Sequence, residues 1–387
     1  MYASFSNRDL SFSMEHSFKN KTIVIFSPQP WNHISISKHH YAIELSKNNS
    51  VYFISSPQHR LFKKVTIEQI EKKLYVINYS VRLPEWTKFK LKKIYKTVVQ
   101  FTIKGIMRTQ VPSVDYSFDF GCYQFFDSST FFPSAYRIFF PVDDFLHLKD
   151  DLRGANIAFT VSTVIQKKIQ SGACHFINHG LSEDFIVQLN KDILERASWQ
   201  SSSKTKVGYA GNIFLRFIDF EVFEKLITAN PTIEFHFFGN SDFNPANESH
   251  KKWKSFLDSS SNVIFRGWMN VRQLAEAYHG MDLFLICYKA DNQNYHGENS
   301  HKLLEYLSTG KVIVTSYISL YEGTDMLEMV TFENNVLGKI FSKVVQELDV
   351  YNAPVRMQDR RNYARENSYA KQLERMTNIM NEQVEKR

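Results

Sequence analysis

The residues best suited to chemistry lie between positions 297 and 316, GENSHKLLEYLSTGKVIVTS. On a helical wheel Leu303, Leu304 and Leu307 share one face, which suits packing on a sheet. Glu298, His301, Lys302 and Glu305 fall on the other face. Asn299 or Ser300 is placed to cap the helix start. The unpaired amides of a first helical turn attract anions. Lys302 adds a positive charge for a phosphate, and the Glu305 carboxylate can accept protons from two ribose hydroxyls. A capped helix with a solvated polar face would use the same residues, so spacing alone leaves both readings open. Gly310 follows the last turn as a left-handed stop.

A helix start binds an anion usefully only where a sheet delivers it. The second half of the chain supplies that frame. The runs KVGYAG, TIEFHFFGN, NVIFRGW, DLFLICY and KVIVTS read as strands, and helical patterns separate them. Nine of the 14 glycines lie at or beyond Gly208. Gly211, Gly239 and Gly267 each follow a strand, at the carboxyl ends where open α/β sheets bind ligands. Plain turn chemistry explains any one of them; three at matching positions favour a site. The first half also alternates, beginning with TIVIF (22–26), a helix over 37–49 and VYFIS. That is a βαβ unit with parallel strands. Further strands read at 73–79, 115–120, 136–142, 155–162 and 174–180. The first loop, SPQPWNH, has no glycine but offers Trp31 and His33. Neither a G-x-G-x-x-G nor a P-loop fingerprint occurs. Residues 1–20 read as a loose tail, and WQSSSKTK (199–206) reads as a linker.

Other candidates are weaker. Asp143 and Asp144 are adjacent acids in PVDDF and also suit a helix cap. His33, His39 and His40 are poorly spaced for a metal, so polar roles at a surface or cleft are expected of them. No metal site is expected. His179, before Gly180, reads as structural. Residues 86–110 carry seven bases (Lys88, Lys90, Lys92, Lys93, Lys96, Lys104 and Arg108) and no acid. Leu91, Ile94, Val98 and Phe101 recur there at helical spacing. A basic amphipathic helix suits an anionic membrane surface, and equally a core-packed helix with a solvated basic face.

Composition bounds these readings. The 387 residues are 43% hydrophobic and 22% charged, which excludes disorder throughout and predicts two or three domains. The net charge of +7 suits an anionic partner, and no RNA-binding motif accompanies it. Three scattered cysteines (Cys122, Cys174 and Cys287) make neither a disulfide framework nor a zinc site and point to a reducing compartment. The N-terminal stretch has no signal-like apolar segment. No apolar run approaches the ~20 residues of a spanning helix. A cytoplasmic protein is expected, and the basic segment would suit a peripheral place at the inner face of the membrane.

Taken together, these segments resemble GT-B glycosyltransferases close to family four. The pattern is Lys302, three residues before Glu305–Tyr306, then Gly310 and VIV (312–314). VGYAGN, FHFFGN and NVIFRGWM precede it at the family's spacing, and AFTVS, INHGLSEDF and PVDDF are similar to its first-domain signatures. WNHISISKHHYAIELSK resembles the first loop and helix of bacterial members that build cell-surface polysaccharides. The resemblance covers roughly residues 22–375. It implies an α/β protein of two Rossmann-like domains facing across a cleft. We expect an acceptor-side domain over 1–200, a nucleotide-sugar domain over 201–355 and a helix over 356–387 that crosses back.

The activity implied is transfer of a sugar from a nucleotide donor to a hydroxyl of a glycan or lipid-linked acceptor. No cofactor is implied beyond the donor, and no nucleic acid partner. Glu305 would hold the ribose. Asn299, Ser300, His301, Lys302, Gly211 and Asn212 would face the pyrophosphate, and Arg216 would clamp it. Gly239 would sit beside them, and Gly267, Trp268 and Met269 would sit by the base. Asp143 would lie near the reacting sugar, and Trp31 and His33 in the acceptor-side loop. Where the family has a first Glu, this chain has Gly297, with Glu298 one position on. Two other readings of the same frame are a nucleotide-sugar epimerase and a non-catalytic nucleotide-binding protein.

Overall fold

The structure is a computed structural model. It describes residues 15–32, 36–60, 62, 64–122, 125–142, 152–169, 171–194, 204–239, 243–289 and 299–385. They form two compact units, Met1–Ile177 with Gln372–Arg387, and Asn178–Lys371.

Unit 1 contains β1 (Thr22–Phe26), α1 (Ser37–Ser46), β2 (Ser50–Ile54), β3 (Gln58–His59), β4 (Val65–Glu71) and β5 (Leu74–Val81). Then come α2 (Thr87–Lys90), α3 (Lys92–Gln110), β6 (Tyr116–Asp119), β7 (Tyr136–Phe139), β8 (Ile157–Thr160), α4 (Thr163–Ile169) and β9 (Cys174–Phe176). The sheet runs β3-β5-β2-β1-β6-β7-β8-β9. Its strands are parallel except for β4, which pairs antiparallel with β5. Strands covered on both faces lose their alternation, and TIVIF is buried from Ile23 onward. The order reverses between β1 and β6, which makes that junction the switch point.

Helix α3 departs from expectation. It packs through Tyr95, Val99, Ile103, Ile106 and Met107. Of the row read from the sequence, Leu91, Ile94 and Phe101 face outward at 42%, 55% and 72% exposed, while Val98 is half-buried and packs against the core. The helix carries two apolar rows, and the sheet takes the longer one. The N-terminal reading is also corrected from His16 onward. The His16 N–H donates to Asn381 Oδ1 at 2.6 Å, and Phe18 is buried against Tyr116 and Phe118. His39 is buried, not at a surface. Its Nδ1 accepts from the Ile36 N–H at 3.2 Å, so it fixes the start of α1.

Unit 2 contains α5 (Glu183–Leu194), β10 (Lys206–Ala210), α6 (Phe220–Ala229), β11 (Glu234–Phe238), α7 (Glu248–Ser259), β12 (Val263–Gly267), α8 (Val271–His279) and β13 (Leu283–Ile286). It continues with α9 (His301–Thr309), β14 (Val312–Thr315), β15 (Glu328–Met329), α10 (Leu337–Gln346), α11 (Leu348–Tyr351) and α12 (Pro354–Glu366); α13 (Tyr369–Glu385) follows and belongs to unit 1 from Gln372 onward. Its parallel sheet runs β12-β11-β10-β13-β14-β15 and reverses between β10 and β13. The units divide at Ile177/Asn178, not at residue 200 as the sequence reading placed it. The physical reason is α5, which packs on α8 and α9 and puts Leu181 and Phe185 into unit 2's core. The other boundary falls at Lys371/Gln372, inside α13, not at 355/356. Helix α12 packs on α9 and so stays with unit 2.

Candidate active site

The switch point of unit 2 is built from α9 and three strand ends. Leu303, Leu304, Tyr306 and Leu307 bury one face of α9, as the pattern requires. The two helix ends are treated differently. At the C-terminus Gly310 is left-handed, and buried cations replace solvent. Arg360 donates to the carbonyls of Gly310 and Tyr351 at 3.0 and 2.9 Å, and Arg361 donates to Thr309 O at 3.2 Å. Cations at that end also suit the helix dipole. At the N-terminus Ser300 stands in the cap position, yet its side chain makes no capping bond. The Leu303 N–H donates to Ser300 O at 3.0 Å.

Lys302 lies over the end of β10. Gly211 has φ +122°, and a Cβ built there would stand 2.5 Å from Lys302 Nζ. Only glycine lets the ammonium approach that close. Nζ lies 4.9 Å from the Tyr209 ring centroid and donates to Tyr288 Oη at 3.3 Å. Burial opposes the charge, but the surrounding phenols of Tyr209 and Tyr288 outweigh it and hold the ammonium above the usual lysine range. Tyr306 fixes the register between helix and strand, since the Ala210 N–H donates to its Oη at 2.7 Å. Gly239 (φ +125°) is stitched to both neighbours. The Gly211 N–H donates to Phe238 O at 2.7 Å, and the Gly239 N–H donates to Gly267 O at 2.8 Å.

Glu305 is one turn along α9. Burial pushes its carboxyl up to about 7, against the pull of Lys302 and of the Tyr278 hydroxyl. His179 closes the other side. Its Nε2–H donates to Asn299 O at 3.0 Å, and burial lowers its pKa to about 4, so the ring is neutral and structural. Asn299 Nδ2 donates to Asn178 Oδ1 at 3.1 Å, and the His301 ring stands edge-on to His179 at 6.1 Å.

The structure thus brings together Gly211, Gly239, Gly267, Asn299, Ser300, His301, Lys302 and Glu305. Asn212 accepts from the Phe214 N–H at 2.9 Å and turns the loop that follows. Arg216 is exposed in that loop and makes no hydrogen bond or ion pair among the described residues. Trp268 is exposed and Met269 packs against the core. In unit 1, Trp31 packs edge-on to Phe53 and His39 and lines a cavity of about 260 Å³. His33, Asp143 and Glu298 lie outside the described residues. Sequence reasoning missed the phenol cage of Tyr209, Tyr278 and Tyr288. Its signal was weak, because each tyrosine reads as an ordinary core aromatic.

No protein-family model and no curated protein matches the chain. Solved structures do. Sucrose-phosphate synthase from Thermosynechococcus elongatus matches with TM-score 0.64 and 10% identity over 95% of this chain and 100% of that one. A structure described as trehalose-6-phosphate from E. coli bound with UDP-2-fluoro glucose matches with TM-score 0.63 and 9% identity, covering 93% and 99%. HepE from Anabaena, in complex with UDP and glucose, matches with TM-score 0.62 and 11% identity, covering 93% and 99%. This chain shares their fold, two Rossmann-like α/β units on one polypeptide: the GT-B fold.

Proposed function

We propose that the protein is a glycosyltransferase that takes a sugar from a nucleotide-sugar donor. One observation carries the reading. The Lys302 ammonium lies over Gly211 at the start of α9, with the Glu305 carboxyl one turn on. That arrangement suits a diphosphate beside ribose hydroxyls. The fold neighbours described with UDP, UDP-2-fluoro glucose and glucose support it.

In this reading Lys302 and the first amides of α9 hold the diphosphate. Negative charge on the leaving group grows during transfer, and fixed donors in a poorly solvated site stabilise it without reorganising. Arg216, on the loop after β10, supplies a second cation. Glu305 accepts the ribose hydroxyls. Gly267, Trp268 and Met269 border the base, and Asp143 and Glu298 act near the sugar. Family four is the proposed family. The proposed acceptor is a glycan or lipid-linked hydroxyl of surface polysaccharide synthesis, reached through the Trp31–His33 loop, with no cofactor besides the donor. The basic segment 86–108 would rest on an anionic inner membrane face.

The test is calorimetric titration with UDP-, GDP-, ADP- and CMP-sugars, followed by product assay. One of them should bind the wild-type chain, and Lys302→Ala should weaken or abolish turnover. Absence of binding by all four would overturn the reading.

A further inference from the structure

Arg216 is the second cation of the proposed site, yet its own side chain does not hold it in place. The three residues after it do. Ile218 bridges antiparallel to Tyr288, two residues past the end of β13. The Lys289 N–H donates to Phe217 O at 2.7 Å, and the Asp219 N–H donates to Cys287 O at 3.1 Å. The Phe217 ring stands edge-on to the Tyr288 ring at 5.1 Å. Tyr288 is also the residue whose phenol accepts from Lys302 Nζ. One strand end therefore meets both the loop of Arg216 and a partner of Lys302.

Asn334 ties this arrangement together from outside it. It opens the short turn Asn334–Val336 and is buried. Its Nδ2 donates to Tyr288 O at 2.6 Å and to Asp219 Oδ2 at 2.9 Å. Its Oδ1 lies 2.8 Å from Ser316 Oγ, just past the end of β14. Ser316 Oγ accepts from the Tyr288 N–H at 2.9 Å, and its single proton serves Tyr288 O or Asn334 Oδ1. The Asp219 carboxylate is divided between two tasks. Oδ1 caps α6 by accepting from the Val222 N–H at 3.2 Å, and Oδ2 takes the Asn334 amide. A bond to a charged acceptor is stronger than a neutral one, and a buried donor left unpaired is costly. The amide thus fixes the loop after β10 to the end of β13 with both of its protons. Helix initiation does not account for it, because the cap position of α10 is Val336 and not Asn334.

We propose that Asn334 is a positioning residue of the diphosphate site. It holds the Arg216 loop against the end of β13, so that Arg216 and Lys302 keep a fixed spacing across the leaving group. It touches neither cation and acts through Arg216. The role rests on the glycosyltransferase reading only in naming the diphosphate; the hold on the loop stands on the hydrogen bonds alone.

The test has two readouts on the full chain: hydrogen exchange at the Asp219 and Lys289 amides, and calorimetric titration with inorganic pyrophosphate. Asn334→Ala should speed the exchange at least tenfold, because local opening no longer breaks the side-chain tie. It should also weaken pyrophosphate at least threefold. In an Arg216→Ala background it should cost no further affinity, since the two residues act as one unit. Asn334→Asp sets two carboxylates face to face and should loosen the loop in the same way. Adding Asp219→Asn restores a donor between them, while Tyr288 O keeps Ser316 Oγ, and should bring both readouts back toward wild type. This pair reads the contact even where Asn334→Ala does not fold. Unchanged exchange in Asn334→Ala and Asn334→Asp, no rescue by Asp219→Asn, or affinity losses that add to that of Arg216→Ala would overturn the role, the last by leaving Asn334 merely structural. Pyrophosphate failing to bind the wild-type chain would count against the diphosphate reading, while exchange still decides whether Asn334 holds the loop.

Discussion

The two units repeat one strand order and finish their strands differently. In unit 2 the ends of β10, β11 and β12 carry Gly211, Gly239 and Gly267, all with positive φ. The topologically equivalent ends of β1, β2 and β5 in unit 1 carry Ser27, Ser55 and Arg82, none of them left-handed. Bare backbone lets a charged group approach within contact distance, as Lys302 does over Gly211. The end of unit 1's sheet is filled by rings instead, with Phe26, Phe126 and Phe131 at 5.3–5.6 Å between centroids. One sheet edge thus presents bare backbone beside a single cation, and the other is closed by aromatic rings.

The sharpest way to break that contrast is to give unit 2 a side chain where it has none. A Cβ at Gly239 would stand 2.8 Å from the Gly211 carbonyl oxygen, at a φ of +125° that L-residues rarely adopt. Strain of that kind costs about 1–3 kcal/mol before the contact is counted. Gly239→Ala should lower the melting temperature by several degrees and abolish donor binding. Gly323→Ala is the control, since Gly323 also has positive φ (+74°) but nothing within 4 Å of the added carbon. In unit 1, Ser27→Ala loses two hydrogen bonds, one donated to Gln29 O at 2.7 Å and one accepted from the Gln29 N–H at 3.1 Å, and should change stability by about 1–2 kcal/mol. If Gly239→Ala and Ser27→Ala behave alike, the contrast between the edges is wrong.

Next in size is the cation itself. Removing one preorganised donor from a growing negative charge typically costs about 10²–10³ in kcat. Lys302→Ala should lose turnover by that order and donor affinity by less. Loss of affinity alone, with turnover intact, would mean that Lys302 only binds.

Glu305 should respond to pH in two opposed ways. Its carboxyl is raised to about 7 by burial from an ordinary value of 4.5. Between those values the folded state binds the extra proton, so the contribution of Glu305 to stability is full below about 4.5 and is lost as pH rises through about 7. Glu305→Gln removes that loss and should raise stability at pH 8 by about 1–3 kcal/mol relative to wild type, with little gain at pH 4. Donor binding should run the other way. A carboxylate accepting two hydroxyls must be ionised, so wild-type affinity should rise from pH 6 to pH 8, and Glu305→Gln should weaken it by about 1.5–3 kcal/mol at pH 8. Calorimetry at both pH values checks each half, and a flat affinity profile would remove Glu305 from the ribose.

What the sequence made legible follows from contiguity. The α9 segment carries its packing face, its charged face and its stop within one stretch, and the glycine ends of β10 to β12 sit at fixed places after their strands. The phenols around Lys302 were not legible, because Tyr209 and Tyr288 reach it from two other strand ends. Nor was the role of Tyr306, whose hydroxyl meets the Ala210 amide 96 residues away. The antiparallel pairing of β4 with β5 escaped because VTIEQIE is mostly exposed and mixes glutamates with its β-branched residues. The division at Ile177 escaped because nothing local marks α5 as belonging to the core that follows it.

The smallest expected effect on stability falls on the outer row of α3, and it bears on what unit 1's edge is for. A soluble helix gains nothing by showing Ile94 and Phe101 to water beside Lys90, Lys93, Lys104 and Arg108, all of them exposed. Truncating an exposed residue usually changes stability by no more than about 0.5 kcal/mol. Ile94→Ser with Phe101→Ser should therefore leave the melting temperature and donor affinity where they are. On the proposed membrane contact, binding to vesicles of phosphatidylglycerol should fall, because the variant offers no apolar pair to the interface. Replacing Lys90, Lys93, Lys104 and Arg108 by Gln should reduce it further. Each base near an anionic leaflet contributes about 1 kcal/mol, and that attraction fades as salt shortens the Debye length. The two variants separate by salt: the apolar one keeps a steep salt dependence at lower affinity, and the charge variant loses the dependence itself. Wild-type protein that ignores these vesicles at low salt would mean that the outer row meets some other surface, and that α3 serves unit 1 only through the face it buries.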